Sequence, residues 1–243
     1  MPKARKSPGT ALITGAAKRI GREIAVVLGN LGYTLAIHYN NSQAEAEQLA
    51  IQLKKNKIRC DTFQANLGDE EQTIPLIPEV LKKFSNLNLL INCASIFEPS
   101  KFDVKDLALY KRHFDINLKA PFILSSQFYH LCKKGQIINL LDTDIVKNKT
   151  SHVAYLLTKK ALAEMTKLSA VKFAPHIRVN GIAPGLILPP KNENMAYLDR
   201  RAQAIPLKRR GHPRYIAQSV QFLIEHEFLT GQFLFNDGGE HLV

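Results

Sequence analysis

The chain has 243 residues, 45% of them hydrophobic, with 33 Lys and Arg against 21 Asp and Glu and a formal charge of +12. That is enough apolar side chain for one large domain and excludes an intrinsically disordered chain. No apolar run has the length of a membrane span, and the basic start, Met1 to Gly9, lacks the apolar segment of a signal peptide and reads as a short flexible arm. Cys60, Cys93 and Cys132 form neither a disulfide framework nor a CxxC motif, which points to a reducing, cytoplasmic compartment. The positive charge is spread out, apart from small clusters at Lys54, Lys55 and Lys57 and at Lys208, Arg209 and Arg210. No zinc-ligand spacing or aromatic RNA-binding pattern accompanies it, so neither a metal nor a nucleic acid is expected.

Residues 11–14 read as an apolar strand leading into Thr14-Gly15-Ala16-Ala17-Lys18-Arg19-Ile20-Gly21, and residues 20–31 as an amphipathic helix. Strand, glycine-bearing turn and helix is how a chain holds a dinucleotide pyrophosphate. Gly15 can make the tight turn, Gly21 lets helix and strand approach closely, and the helix N-terminus offers N–H groups to phosphate. Arg19 stands where many such loops carry a glycine. Beside Lys18, it points to a ligand with extra negative charge.

The remaining strand patterns are 34–39, 58–64, 88–92, 136–141, 177–182 and 232–235, and the helical ones 42–56, 69–84, 104–117, 121–133, 151–174 and 213–225. Pro75 and Pro78 interrupt the third helix, which starts late or kinks. This alternation predicts an α/β fold: one Rossmann-type domain over residues 10–243, a doubly wound parallel sheet of about seven strands with ligands at the strands' carboxyl ends. Residues 186–206, with Pro189, Pro190 and Pro206, break the rhythm. They read either as a lid over substrate or as a plain surface insertion.

Tyr155 and Lys159 are spaced i, i+4 on a helix and share a face. An ammonium beside a phenol lowers its pKa, so such a pair can exchange a proton near neutrality. Asp142 lies just past the strand 136–141, where a carboxylate points toward the crevice; Asp144 is close behind and is not excluded by sequence alone. Asn117, near the end of a helix, either holds a water or caps the helix.

Together these pieces resemble the short-chain dehydrogenase/reductases over nearly the whole chain. The matching segments are Thr14–Gly21, Asn92-Cys93-Ala94-Ser95, Asn117, Tyr155-Leu156-Leu157-Thr158-Lys159, Arg178 to Gly185, Thr230-Gly231-Gln232 and Asp237-Gly238-Gly239. Within that family the chain is most similar to pteridine reductases, including bacterial dihydromonapterin and dihydrofolate reductases. That narrower match rests on Arg19 in the loop, His38-Tyr39-Asn40-Asn41-Ser42 after the second strand, Ser95-Ile96-Phe97, and Asp142 where most relatives have serine.

The resemblance implies NADPH-dependent reduction of a dihydropterin of the dihydromonapterin, dihydrobiopterin or dihydrofolate type. The catalytic residues would be Asn117, Asp142, Tyr155 and Lys159. Cofactor would be held by Gly15, Lys18, Arg19, Ile20, His38, Tyr39, Asn40, Asn41, Ser42, Asn66, Leu67, Asn92, Ala94, Ser95, Tyr155, Lys159, Pro184 and Gly185. Substrate would meet Arg19, Ser95, Phe97, Asp142 and Tyr155, with Phe97 stacking on the pterin if it is not simply a core residue. The second strand ends without the acid that holds an unphosphorylated ribose, so NADPH is favoured over NADH. A carboxyl group beside Tyr155 can relay a proton to a ring nitrogen, whereas a serine suits a ketone. Asn66 and Cys93 depart from the family's common aspartate and asparagine. Relatives are commonly homotetramers. The competing expectations are a ketoreductase, such as a 3-oxoacyl-thioester reductase, and a non-catalytic nucleotide- or RNA-binding protein on the same fold.

Overall fold

Strand β1, Thr10–Ile13, is buried at every position, the pattern of a strand covered on both faces. The computed structural model, which describes residues 8–190 and 193–243, places it third in a seven-stranded sheet of order β3-β2-β1-β4-β5-β6-β7. The other strands are β2 Thr34–Tyr39, β3 Cys60–Gln64, β4 Leu87–Asn92, β5 Gly135–Leu140, β6 Ile177–Pro184 and β7 Phe233–Asn236. Every pairing is parallel. The doubly wound sheet expected from the sequence is therefore present, with strand ends moved by one or two residues. The basic arm lies outside the described residues apart from Pro8 and Gly9.

Helices α1 Arg19–Asn30, α2 Gln43–Lys55 and α9 Pro213–Glu225 cover one face of the sheet. Their apolar stripes, including Ile24, Leu28, Leu49, Leu53, Ile216 and Val220, close on Ile13, Ile37 and Ile91. The other face packs Leu12, Leu90, Ile137 and Val179 against α4 Leu76–Lys83, α6 Ala120–Leu131 and α7 Val153–Phe173. The sheet reverses its winding between β1 and β4, so the chains leaving their carboxyl ends part to opposite faces and open a crevice.

Of two helical expectations, the interruption of the third helix by proline is met, and the separation of the fourth and fifth is corrected. The pattern 69–84 splits into α3 Glu70–Thr73, capped by Asp69 accepting from Glu71 N at 2.9 Å, and α4. Pro75, lacking an N–H, marks the break. The patterns 104–117 and 121–133 are not separate helices. A 3₁₀ turn Val104–Asp106, α5 Leu107–Phe114, a π turn Asp115–Lys119 and α6 run on without a loop. Asn117 is therefore inside a helix, and the cap reading falls. The excursion after β6 carries α8 Met195–Ala202, and Leu186, Leu198, Ala202 and Ile205 make a small core of its own. Residues 191 and 192 of that excursion lie outside the described residues.

Candidate active site

The loop after β1 is shaped by two glycines and a histidine. Gly15 has φ +66°, and a Cβ there would lie 3.0 Å from Ala94 Cα. A Cβ on Gly21 would lie 2.4 Å from the Gly15 carbonyl oxygen, so α1 reaches the loop only because that residue is glycine. Gly15 N donates to His38 Nδ1 at 3.1 Å, which leaves the proton on Nε2 to donate to Ala65 O at 3.1 Å. His38 is buried, and burial pulls its pKa down to about 4. Its expected role as a phosphate donor is thereby overturned, because both ring nitrogens are used inside the protein. Thr14, which sequence reading did not assign to the site, accepts from Cys93 N at 2.9 Å and Ala94 N at 3.0 Å, tying the β1 and β4 loops together.

No side chain caps the first turn of α1. Lys18 stands at its N-cap and pairs at 2.5 Å with Glu45 in the first turn of α2, an acid that sequence reading did not assign to the site. Arg19 adopts φ +56°, a backbone region that favours glycine. It donates from Nη2 to Pro189 O at 2.8 Å, joining the loop to the excursion after β6. Asn40 and Asn41 are exposed, Tyr39 and Ser42 half-buried. Asn40 Nδ2 donates to Asn66 Oδ1 at 3.4 Å. Two expected cofactor contacts are corrected at the side-chain level. Leu67 is part of the core, and Asn92 donates to Asn139 Oδ1 at 2.8 Å inside the sheet.

The expected chemical groups converge where β5 ends. Asp142 stands just beyond β5, capping the 3₁₀ turn Thr143–Val146 by accepting from Asp144 N at 2.8 Å. Its other oxygen accepts from Tyr155 Oη at 2.6 Å. Asp144 instead pairs with Lys149 at 2.7 Å. Burial, with the Asp142 carboxylate next, holds the Tyr155 phenol well above its usual range. Burial also raises the Asp142 carboxyl, against the pull of the phenol hydrogen bond. The expected lowering of the phenol by Lys159 is not what the geometry gives. Lys159 Nζ donates to Leu140 O at 2.6 Å and lies 5.7 Å from the Tyr155 ring centroid. Burial takes its pKa down to about 8.

The π turn aims Asn117 across to the β4 loop. Its Oδ1 accepts from Ile96 N at 2.9 Å and Ser95 Oγ at 3.2 Å, and its Nδ2 donates to Ile96 O at 3.0 Å. His113, one turn earlier and fully buried, accepts from the same Nδ2 at 3.2 Å. Phe97, just past this clamp, is 46% exposed and so is not a core residue. Its ring stacks on His152 and meets Tyr155 edge-on.

Gly15, Lys18, Arg19, Ile20, Ala94 and Ser95 line one cleft of about 710 Å³ together with Phe97, Asp142, Tyr155 and Lys159. Pro184, Gly185, Leu188, Tyr197 and Arg201 also line it, so described residues of the excursion after β6 border the crevice. Glu240, near the chain's end, also lines it and accepts from Arg201 at 3.4 Å. The Asp237-Gly238-Gly239 motif has a structural explanation. Asp237 accepts from Thr143 Oγ1 at 2.5 Å and His241 N at 2.8 Å, binding the C-terminal turn to the Asp142 loop. Among the described residues there is no cluster of ligands fit for a metal ion, and no helix long and apolar enough to cross a membrane.

A family model described as enoyl-(acyl carrier protein) reductase matches residues 15–241. The 3-oxoacyl-[acyl-carrier-protein] reductase FabG of Staphylococcus epidermidis is 30% identical over 96% of this chain and 99% of its own. The chloroplastic NADPH-dependent aldehyde reductase 1 of Arabidopsis thaliana is 32% identical, over 94% and 85% respectively. Among solved structures, FolM alternative dihydrofolate reductase 1 from Brucella canis, complexed with NADP, superposes with a TM-score of 0.93 at 32% identity, covering 98% of this chain and 95% of that one.

The buried His38 makes stability depend on pH. It is neutral in the folded protein down to about 4 but takes up a proton near 6.5 once unfolded. Its contribution is therefore complete above pH 6.5 and is lost as pH falls toward 4, a span worth about 3 kcal/mol. Denaturant unfolding at pH 7 and pH 4.5 is expected to show a smaller loss of stability on acidification for His38→Asn than for the parent. Equal losses would mean that His38 is not held neutral.

Proposed function

Because the chain belongs to the short-chain dehydrogenase/reductase family, we propose that it is a pteridine reductase, converting a dihydropterin of the dihydromonapterin, dihydrobiopterin or dihydrofolate type to its tetrahydro form. The cofactor is NADPH, which supplies the hydride when bound. The residues present fit it. The first turn of α1 has no side-chain cap, leaving N–H groups for a pyrophosphate, and Gly15 allows close backbone approach. β2 ends in Tyr39 followed by Asn40, Asn41 and Ser42 with no acid, and Glu45 is neutralised by Lys18. That arrangement suits a ribose 2′-phosphate better than a free hydroxyl.

The observation that carries the reading is the 2.6 Å bond from Tyr155 to Asp142. Saturating a C=N bond requires a proton at nitrogen as hydride reaches carbon. A carboxyl and a phenol that both resist ionisation keep a shared proton available at neutral pH for that nitrogen. Lys159, whose ammonium is fixed on Leu140 O, is assigned to the nicotinamide ribose. Asn117 holds the segment bearing Ser95 and Phe97 against substrate, and Arg19 reaches the same volume from the other side. The structural likeness to a dihydrofolate reductase supports this reading. A 3-oxoacyl-thioester ketoreductase is the second reading, favoured by the oxoacyl reductase relatives. The exposed Phe97 ring and the carboxyl group at position 142 argue against it. Exposed Phe122 and Leu131 on α6 and Leu168 and Val171 on α7 support assembly as a homotetramer. The three free thiols suit the cytoplasm.

Fluorescence titration is expected to give tighter binding of NADPH than of NADH. Equal binding, or a preference for NADH, would contradict the reading of the β2 terminus.

Steady-state assays of NADPH oxidation with a dihydropterin, dihydrofolate and an acetoacetyl thioester test the activity itself. Asp142→Ser is expected to lower pterin turnover by about 10²–10⁴-fold, the usual reach of a general acid, with NADPH affinity kept. Asp144→Ser should stay near the parent. Loss in Asp144→Ser but not Asp142→Ser would reverse the assignment, and loss in neither would move the ketoreductase reading ahead.

A further inference from the structure

Phe97 and His152 come from distant parts of the chain, yet their rings lie within 7° of parallel with centroids 4.1 Å apart. A short parallel bridge between Ser100 and His152 sets this spacing. Ser100 N donates to Ser151 O at 3.3 Å, Val153 N donates to Ser100 O at 3.2 Å, and Ala154 N donates to Ser100 Oγ at 2.9 Å. Ser100, which makes these bonds, is buried. The segment carrying Phe97 is thereby fastened to the first turn of α7, two residues before Tyr155.

His152 occupies the N-cap of α7 but makes no side-chain bond to that helix. Among the described residues its ring has one polar contact, Nδ1 with Ser151 Oγ at 3.0 Å. The ring therefore does not do what a polar residue usually does at that position, and its broad face lies against Phe97. Burial holds its pKa below the ordinary value, with Lys149 acting in the same direction against Asp144, and the positive end of a helix also disfavours a protonated ring there. A neutral, flat imidazole is a good stacking partner for a phenyl ring. The Phe97 ring has one face covered by His152 and meets Tyr155 at 4.7 Å and 84°. At 46% exposure the ring keeps part of its surface open, and it lines the cleft together with His152.

We propose that His152 is a positioning residue that locks the plane of the Phe97 ring, so that the open face of that ring receives a flat, conjugated heterobicyclic substrate by stacking. This rests on the pterin reading and narrows it: recognition is of the planar ring, held at a fixed angle to the Tyr155–Asp142 pair. A phenyl ring on an unsupported loop would turn freely, and ordering it would weaken binding. A ring already held by a second ring avoids that cost.

The test is steady-state kinetics of the full-length enzyme at saturating NADPH with dihydrobiopterin and dihydrofolate, comparing parent, His152→Ala and His152→Phe. Removing the backing ring is expected to raise KM for both substrates about three- to tenfold, the scale of one aromatic pair, while kcat changes less than about twofold. His152→Phe, which restores a flat ring, is expected to return KM to the parent value, and NADPH affinity by fluorescence stays the same in all three. An unchanged KM in His152→Ala would overturn the proposal, as would a His152→Phe variant no better than the alanine one or parallel losses of kcat and NADPH binding. A parent enzyme that reduces neither substrate would overturn the pterin reading itself, and this inference with it.

Discussion

A buried phenol hydrogen-bonded to a buried carboxyl is the interaction around which the site is arranged. Either group alone in that place would be costly to ionise. At 2.6 Å, each satisfies the other, and the carboxyl gains a second donor from the backbone of its own turn. The demand on geometry is severe, because Asp142 follows β5 and Tyr155 belongs to α7. The two meet only because β5 pairs in register with β4 and β6, and because α7 packs on the sheet face below them. The long parallel sheet is thus a device for holding two side chains within hydrogen-bonding distance.

Around that pair, the loops at the strands' carboxyl ends are pinned by polar side chains that the cleft then never touches. His38 props Gly15, Thr14 ties the β1 and β4 loops together, Asn117 clamps residues 95 and 96, and Asp237 anchors the Asp142 turn to the C-terminal residues. Each is largely removed from water, so removing one partner leaves an unsatisfied group at a cost of about 1–3 kcal/mol. These bonds tie the loops to one another and to the sheet. The segment after β6 is joined to the loop after β1 by Arg19, which donates to Pro189 O, and to the C-terminal turn by Arg201, which donates to Glu240.

The sheet was legible in the sequence because each strand is a short apolar run bounded by turn residues and each helix carries an apolar stripe. The Tyr155–Lys159 spacing and the acid beyond the fifth strand were legible for the same reason: periodicity says which side chains share a face or an edge. It does not say which partner a polar side chain chooses. Lys159 shares a face with Tyr155 yet spends a hydrogen bond on Leu140 O, and His38 sits at a binding-site position yet turns inward. The π turn at Asn117 was invisible because a bulge inside a helix leaves no break in composition. Glu45 and His152 carried no signal at all, since their contacts are made across elements distant in sequence.

A double-mutant cycle tests most directly whether Asp142 and Tyr155 act as one proton-sharing unit. It compares kcat/KM for dihydropterin reduction in Asp142→Ser, Tyr155→Phe and the double variant. If the pair is a unit, the double variant loses little more activity than the worse single one. Multiplicative losses would show two independent groups and contradict the account.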